Sequence, residues 1–266
     1  MDCVTRRGFE FDSAIVRAPA KSVVDGLRAG SHAGPAFEGV ETLHRHYVEA
    51  LREAGVTVEV LPPLEDYPDS IFVEDPAFVL GGTAILLRPG APSRAGEAEE
   101  LVPYLKGHFK QVHRLENGYA DGGDILVLPD EVLIGLSART DEAGARAFAA
   151  ILEKQGVKVR VAEAPAGVLH FKTGCALIDE ETVLAIPALA GSGFFTGFDV
   201  IATADGEEPV ANALRINDKL LVDADFPRTG EILASRGYDL VPLPVAEIRK
   251  IDAGLSCMSL RWKEVA

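Results

Sequence analysis

Three residues of the kinds that cooperate in nucleophilic substitution at carbon stand far apart in this chain. They are Cys257 in KIDAGLSCMSLRW, His170 in VLHFKTGCALI and Asp121 in YADGGDIL. A thiolate attacks, an imidazole moves protons, and a carboxylate holds the imidazole in one tautomer. Each also has an ordinary reading. A buried Cys is usually a small hydrophobe, a lone His in an apolar run is usually satisfied by one hydrogen bond, and Asp-Gly-Gly is first a bend permitted by positive φ. A free thiol, with a pKa near ~8.5, is only a few per cent thiolate at neutrality, so activation must come from nearby positive charge. A bound guanidinium could supply it.

The segment DYPDSIFVED points the same way. Asp66, Asp69, Glu74 and Asp75 surround the apolar Ile71, Phe72 and Val73. Carboxylates at the two ends of a strand there would converge on a planar cation whose paired N–H donors match their oxygens. The plainer reading is two solvated loops in an acidic protein. Arg94 in GAPSRAG and Arg139 in GLSARTDEAG occupy corresponding polar loops, each just ahead of a helix. They could clamp a carboxylate, or simply be solvated. Arg228 sits in a similar loop, but nothing in the sequence places it in a site. Zinc is the rival for His170 and Cys175. These lack a second ligand pair, and His44 and His46, two apart on a helix, face different ways, so four-ligand spacing is absent and no metal is expected. The phosphate-loop, nucleophile-elbow and zinc-protease motifs do not occur, and GSGFFTG fails the dinucleotide spacing.

Composition bounds the classes. With 266 residues, 47% hydrophobic and 25% charged, the chain can bury a full core and is neither disordered nor fibrous. A net charge of -15 repels phosphate backbones and anionic lipid, so neither nucleic acid nor membrane is an expected partner. Three cysteines, Cys3, Cys175 and Cys257, argue against a disulfide framework and for a reducing compartment. No apolar run has the length of a signal peptide core or a bilayer span, so the expected location is cytoplasmic.

The elements that must position these residues repeat. Strand, turn, strand, polar loop, amphipathic helix and closing strand recur as a ββαβ unit. The clearest copy has DILVLP and EVLIGL flanking Pro129-Asp130, a helix DEAGARAFAAILEKQ capped by Thr140 and stopped by Gly156, and then VKVRVA. A second runs from IFVEDPAFVL through TAILLRP and EAEELVPYLKGHF to QVHRL. A third joins ALRIN, KLLVD, the loop ADFPRTG, EILASRG and DLVPLP. SAIVRAP with HRHYVEALREAGVTVEVLPP forms another, and VLHFKTGCALID with TVLAIPAL a degenerate one. Five units of about 53 residues suggest a closed ring that hides each unit's apolar face without end caps. Helix-strand alternation alone fits a doubly wound sheet equally well. No linker breaks the chain, so a single domain over residues 1–266 is expected.

Taken in order, PDSIFVEDP, PGAPSRAGE, DGGDIL, GLSARTDEAGAR, VLHFKTG and KIDAGLSCMSL resemble the dimethylarginine dimethylaminohydrolase family across nearly the whole chain. The resemblance implies a five-bladed α/β propeller, the pentein fold, with a central active site. It implies hydrolysis of N-omega-methylated L-arginine to L-citrulline and an amine, with neither metal nor organic cofactor, and leaves room for a homodimer. By that similarity Cys257 is the nucleophile, forming a covalent thiouronium, with His170 as acid and base and Asp121 as its partner. Asp69, Glu74 and Asp75 match positions around the guanidinium, and Arg94 and Arg139 those that hold the substrate carboxylate. Leu27, in DGLRAGSHAG, matches a lid, and the Ile251 backbone a contact to the substrate amine. Other guanidines, as in an arginine deiminase or an amidinotransferase, and a nonenzymatic propeller that binds a protein surface stay open beside this reading.

Overall fold

The apolar runs between Gly, Pro and Asp turns fold as fifteen short strands in the computed structural model, which describes residues 8–29, 33–163 and 169–264. Cys3, three residues of the DGLRAGSHAG segment and Val168 lie outside the described residues. The strands form five three-stranded sheets, each with one antiparallel and one parallel pairing. A tight turn suffices for the antiparallel pair, whereas the parallel pair needs a crossover, which is where each unit places its helix.

One blade contains β3 (Ala77–Leu80), β4 (Thr83–Leu86), α2 (Glu97–His108) and β5 (Gln111–Arg114). The next contains β6 (Ile125–Val127), β7 (Val132–Leu136), α3 (Glu142–Glu153) and β8 (Val159–Glu163). Then follow β9 (Cys175–Leu177), β10 (Thr182–Ala185), the short α4 (Pro187–Ala190) and β11 (Asp199–Ala202). The fourth along the chain has β12 (Leu214–Ile216), β13 (Lys219–Asp223), α5 (Pro227–Ser235) and β14 (Asp239–Leu243), followed by α6 (Ala246–Arg249). The remaining sheet joins the two ends of the chain. There β1 (Ser13–Arg17) pairs in parallel with β2 (Thr57–Leu61) across α1 (Phe37–Glu53) and antiparallel with β15 (Ser259–Trp262).

Ring closure follows from the strands' alternation. In β1, Ala14 and Val16 pack toward the β12–β14 blade while Ile15 packs toward the β3–β5 blade. The same split recurs around the ring, giving five apolar clusters among the described residues, each shared by two neighbouring blades. The architecture is thus a five-bladed α/β propeller rather than a doubly wound sheet. On α1, Val40, Leu43, Tyr47, Val48 and Leu51 form a buried stripe at helical spacing.

Four local expectations are corrected. The N-terminal unit does not supply its own first strand; β15 does. The run IFVED is not strand, because Phe72 N and Asp75 N donate to Asp69 O and Phe72 O in successive turns, and β3 begins only after Pro76. The helix α3 is capped by Asp141, whose Oδ1 accepts from Gly144 N at 2.7 Å, and not by Thr140, whose hydroxyl is engaged elsewhere. Finally, α5 starts at Pro227, inside the segment expected to be loop, because proline suits a first helical position.

Candidate active site

The innermost strand of each blade is entered through a tight turn at the hub, and the polar residues sit in those turns. Asp75 precedes β3 by two residues and Cys257 precedes β15 by two. Asp121 ends the approach to the single-turn helix Gly122–Asp124 that leads into β6. His170 stands at the same point before the turn Phe171–Thr173 that leads into β9, so it is not in a strand. Residues more than 180 positions apart in the chain thereby meet on one axis, as Ser256 Oγ shows by donating to Glu74 Oε2.

Cys257 and His170 line one cavity of about 230 Å3, together with Leu27, Asp69, Phe72, Asp75, Arg94, Arg139, Ile251 and Asp252. Asp121 lies behind His170, accepting from its Nε2 at 3.0 Å through Oδ2 and from Gly90 N at 2.8 Å through Oδ1. Asp69 accepts from Leu27 N, at 3.0 Å to Oδ1, and so ties the Leu27 segment over the cavity. Ile251 is followed by Asp252 in a left-handed conformation, φ 54°, which reverses the chain at the rim.

One expected residue lies elsewhere, and one lies on the cavity wall with its fork already engaged. The Glu74 carboxylate is not in this cavity. It pairs with Lys172 Nζ at 2.6 Å and Arg261 Nη2 at 3.0 Å, at the end of a separate channel of about 790 Å3 that runs along all five innermost strands. The turn through Phe72–Asp75 therefore sends Asp75 to one end of the hub and Glu74 to the other. Arg94 is not an open fork like Arg139. It is buried, with Nε and Nη2 on the two oxygens of Glu97, Nη1 on Asp75, and Nη2 also on the carbonyls of Asp69 and Phe72. Arg139 lines the cavity with its Nη1 3.9 Å from Asp121 Oδ2.

Electrostatics sets the protonation of the pair. Burial opposes a charge on His170, but the Asp75 carboxylate and the bond to Asp121 outweigh it and push its pKa up to about 9. Burial pushes the Cys257 thiol up to about 12, and Asp75 and Glu74 add to the effect. Without a cationic ligand the site therefore holds a neutral thiol beside an imidazolium. Because the folded pKa of His170 exceeds the unfolded value of ~6.5, its charge stabilises the fold fully below that pH, and this contribution is lost as pH rises through about 9. A proton NMR titration should place the His170 midpoint near 9, and Asp75→Asn should bring it down.

Asp75, Asp121 and His170 place ligand atoms within 4.8 Å of one another, a spacing that could span an ion. Both oxygens of each carboxylate already accept protein hydrogen bonds, which suits proton handling better.

Sequence reasoning missed the supports. Asp124 accepts from Phe171 N at 2.8 Å and from the hydroxyls of Ser137 and Thr140 at 2.6 Å, while Thr140 Oγ1 accepts from Asp121 N. One buried carboxylate thus connects the backbones beside His170 and Asp121. The second Asp of DGGD was its only signal. Gly123 donates to Asp75 Oδ1, and a Cβ on it would stand 2.8 Å from the His170 ring. Gly123→Ala should displace the imidazole and lower kcat about 10- to 100-fold, as expected for misplaced proton transfer. Steady-state turnover assays would measure it.

The family profile described as N,N dimethylarginine dimethylhydrolase, eukaryotic, matches residues 37–224. The N(G),N(G)-dimethylarginine dimethylaminohydrolase of Pseudomonas aeruginosa is 39% identical over 254 residues, 95% of this chain and 100% of that protein. The chain belongs to the dimethylarginine dimethylaminohydrolase family. A second dimethylarginine dimethylaminohydrolase, from Streptomyces coelicolor, is 33% identical over 95% of this chain and 97% of its own length. A solved structure of the Pseudomonas dimethylarginine dimethylaminohydrolase, a Cys-to-Ser mutant complexed with citrulline, superposes with a TM-score of 0.92 over 95% of this chain and 100% of that one.

Proposed function

We propose that this protein hydrolyses N-omega-methylated L-arginine, asymmetric dimethylarginine and monomethylarginine, to L-citrulline and dimethylamine or methylamine through a covalent intermediate on Cys257. The observation that carries the reading is one small cavity with a thiol and an imidazole on its wall and the Asp69 and Asp75 carboxylates beside them. A guanidinium entering it neutralises the field that keeps the thiol protonated, so the substrate promotes its own attacker.

The Cys257 proton leaves to solvent as the cation binds. Sulfur then forms a bond to the guanidinium carbon, His170 passes its proton to the substituted nitrogen, and the C–N bond breaks to release the amine. The neutral imidazole next takes one proton from water, whose oxygen attacks the thiouronium carbon. As the C–S bond breaks the second proton leaves with sulfur, restoring the thiol and giving citrulline. Asp121 keeps the imidazole oriented through both steps. Arg139 supplies the fork for the substrate carboxylate, with Arg94 beneath it shaping the wall and fixing Asp75. Leu27 covers the pocket, and the Ile251 backbone meets the substrate amine.

A single domain over residues 1–266 is supported by the sheet that joins the chain's ends. No helix among the described residues is long and apolar enough to cross a membrane. The cytoplasmic location and the absence of nucleic-acid or membrane partners belong to the proposal, supported by the charge of -15. A homodimer would be read from light scattering. The deciding experiment is incubation with a panel of dimethylarginine, monomethylarginine and arginine, followed by citrulline and amine detection. Turnover of the methylated substrates is expected, and faster turnover of plain arginine would displace the reading.

A further inference from the structure

We infer that Asn212 is a further catalytic residue, its side-chain amide holding the Cys257 sulfur as the thiolate during attack. Asn212 Nδ2 lies 3.9 Å from Cys257 Sγ, within the longer reach of a bond to sulfur. The orientation of the amide is determined by its other end, because Oδ1 accepts from Ser256 N at 2.9 Å. A backbone N–H can face only the oxygen, so the NH2 group must point at sulfur. Gly254 leaves the space the amide occupies, since a Cβ there would stand 2.4 Å from Asn212 Cγ.

The repeat places Asn212 independently of these contacts. It precedes β12 by two residues, as Cys257 precedes β15 and Asp75 precedes β3. Asn212 is therefore the hub residue of the blade next to the one that carries the nucleophile, and it is buried. Among the charged groups around the sulfur, Asp75 and Glu74 oppose the thiolate and Lys172 favours it, with the His170 imidazolium on the same cavity wall. The amide adds an uncharged donor that strengthens as negative charge gathers on sulfur, without the cost of placing a second cation against the substrate.

The inference rests on the proposed thiol chemistry, and its test is separable from turnover. Asn212→Asp keeps the acceptor for Ser256 N but replaces the donor with a carboxylate oxygen; Asn212→Ala removes both. At pH 8, both variants should lower kcat for dimethylarginine about 10- to 100-fold with KM within about twofold. Both should slow iodoacetamide alkylation of Cys257 by about 10-fold at each pH from about 7 to 10, where the thiolate is the minor form. Thermal melts establish folding, and if one variant fails to fold the other is read alone. An Asn212→Asp protein with wild-type kcat and alkylation would reduce Asn212 to an anchor for Ser256, and a loss confined to KM would place it on the substrate; either overturns the inference. Failure of the wild type to turn over methylarginines sinks the proposed function, while the alkylation profiles still test Asn212.

Discussion

Cys257→Ser is expected to eliminate citrulline formation, by about 10^4-fold or more, while the protein keeps its fold and its affinity for methylarginine. Serine is nearly isosteric, and the single-turn helix Ser256–Met258 that holds position 257 depends on backbone bonds rather than on sulfur. The hydroxyl ionises far less readily than the thiol, and the carboxylates that already push the thiol up act on it as strongly. Loss of a nucleophile is among the largest single-residue effects in catalysis. Steady-state assays give kcat, and calorimetric titration with dimethylarginine gives binding. A serine variant with more than a tenth of normal kcat would remove Cys257 from the reaction.

The second large effect separates the two tasks assigned to one imidazole. His170→Ala should stall dimethylarginine before amine departure, since an unprotonated dimethylamide ion is too basic to leave, and kcat should fall at least about 10^3-fold. S-methyl-thiocitrulline offers a thiol leaving group that needs no such proton. With it, the variant should expel methanethiol and then stop, because nothing takes the proton from the resolving water. Intact-protein mass spectrometry should therefore show a lasting thiouronium adduct on Cys257 with the thio analogue and none with dimethylarginine. Rapid hydrolysis of the adduct in the variant would assign water activation to another group, the Asp69 and Asp75 carboxylates being on the same cavity wall.

The five ββαβ units were readable because each strand pair and helix leaves its own period in the residues, as in DILVLP followed by EVLIGL. The origin of the strand paired with SAIVR was not, since a pairing between Ser13 and Trp262 has no local signature. Within the site, thiol, imidazole and the Asp-Gly-Gly bend stood out by residue type. Asn212, Thr140 and Ser137 did not, because small polar residues in loops look alike until the fold shows which of them are buried against charge. Glu74 misled for the opposite reason. Its type suited a guanidinium, but the side adopted by each residue of a tight turn is decided by the turn's bonds, not by composition. The two arginines looked equivalent in their loops, each with a glutamate three residues on, and only the fold shows that Glu97 turns back onto Arg94 while Glu142 pairs with Arg146.

The nucleophile rides on the turn that enters β15, the strand whose partner β1 lies at the other end of the polymer. This makes the seam of the ring and the reactive centre one device. Contacts so distant in sequence carry a high loop-closure cost, and those that bring Glu74 and Asp75 to the sulfur are among them. A molecule that breathes open along that seam is disarmed while most of its blades remain intact. During gradual heating, the capacity for turnover should vanish ahead of the bulk loss of secondary structure.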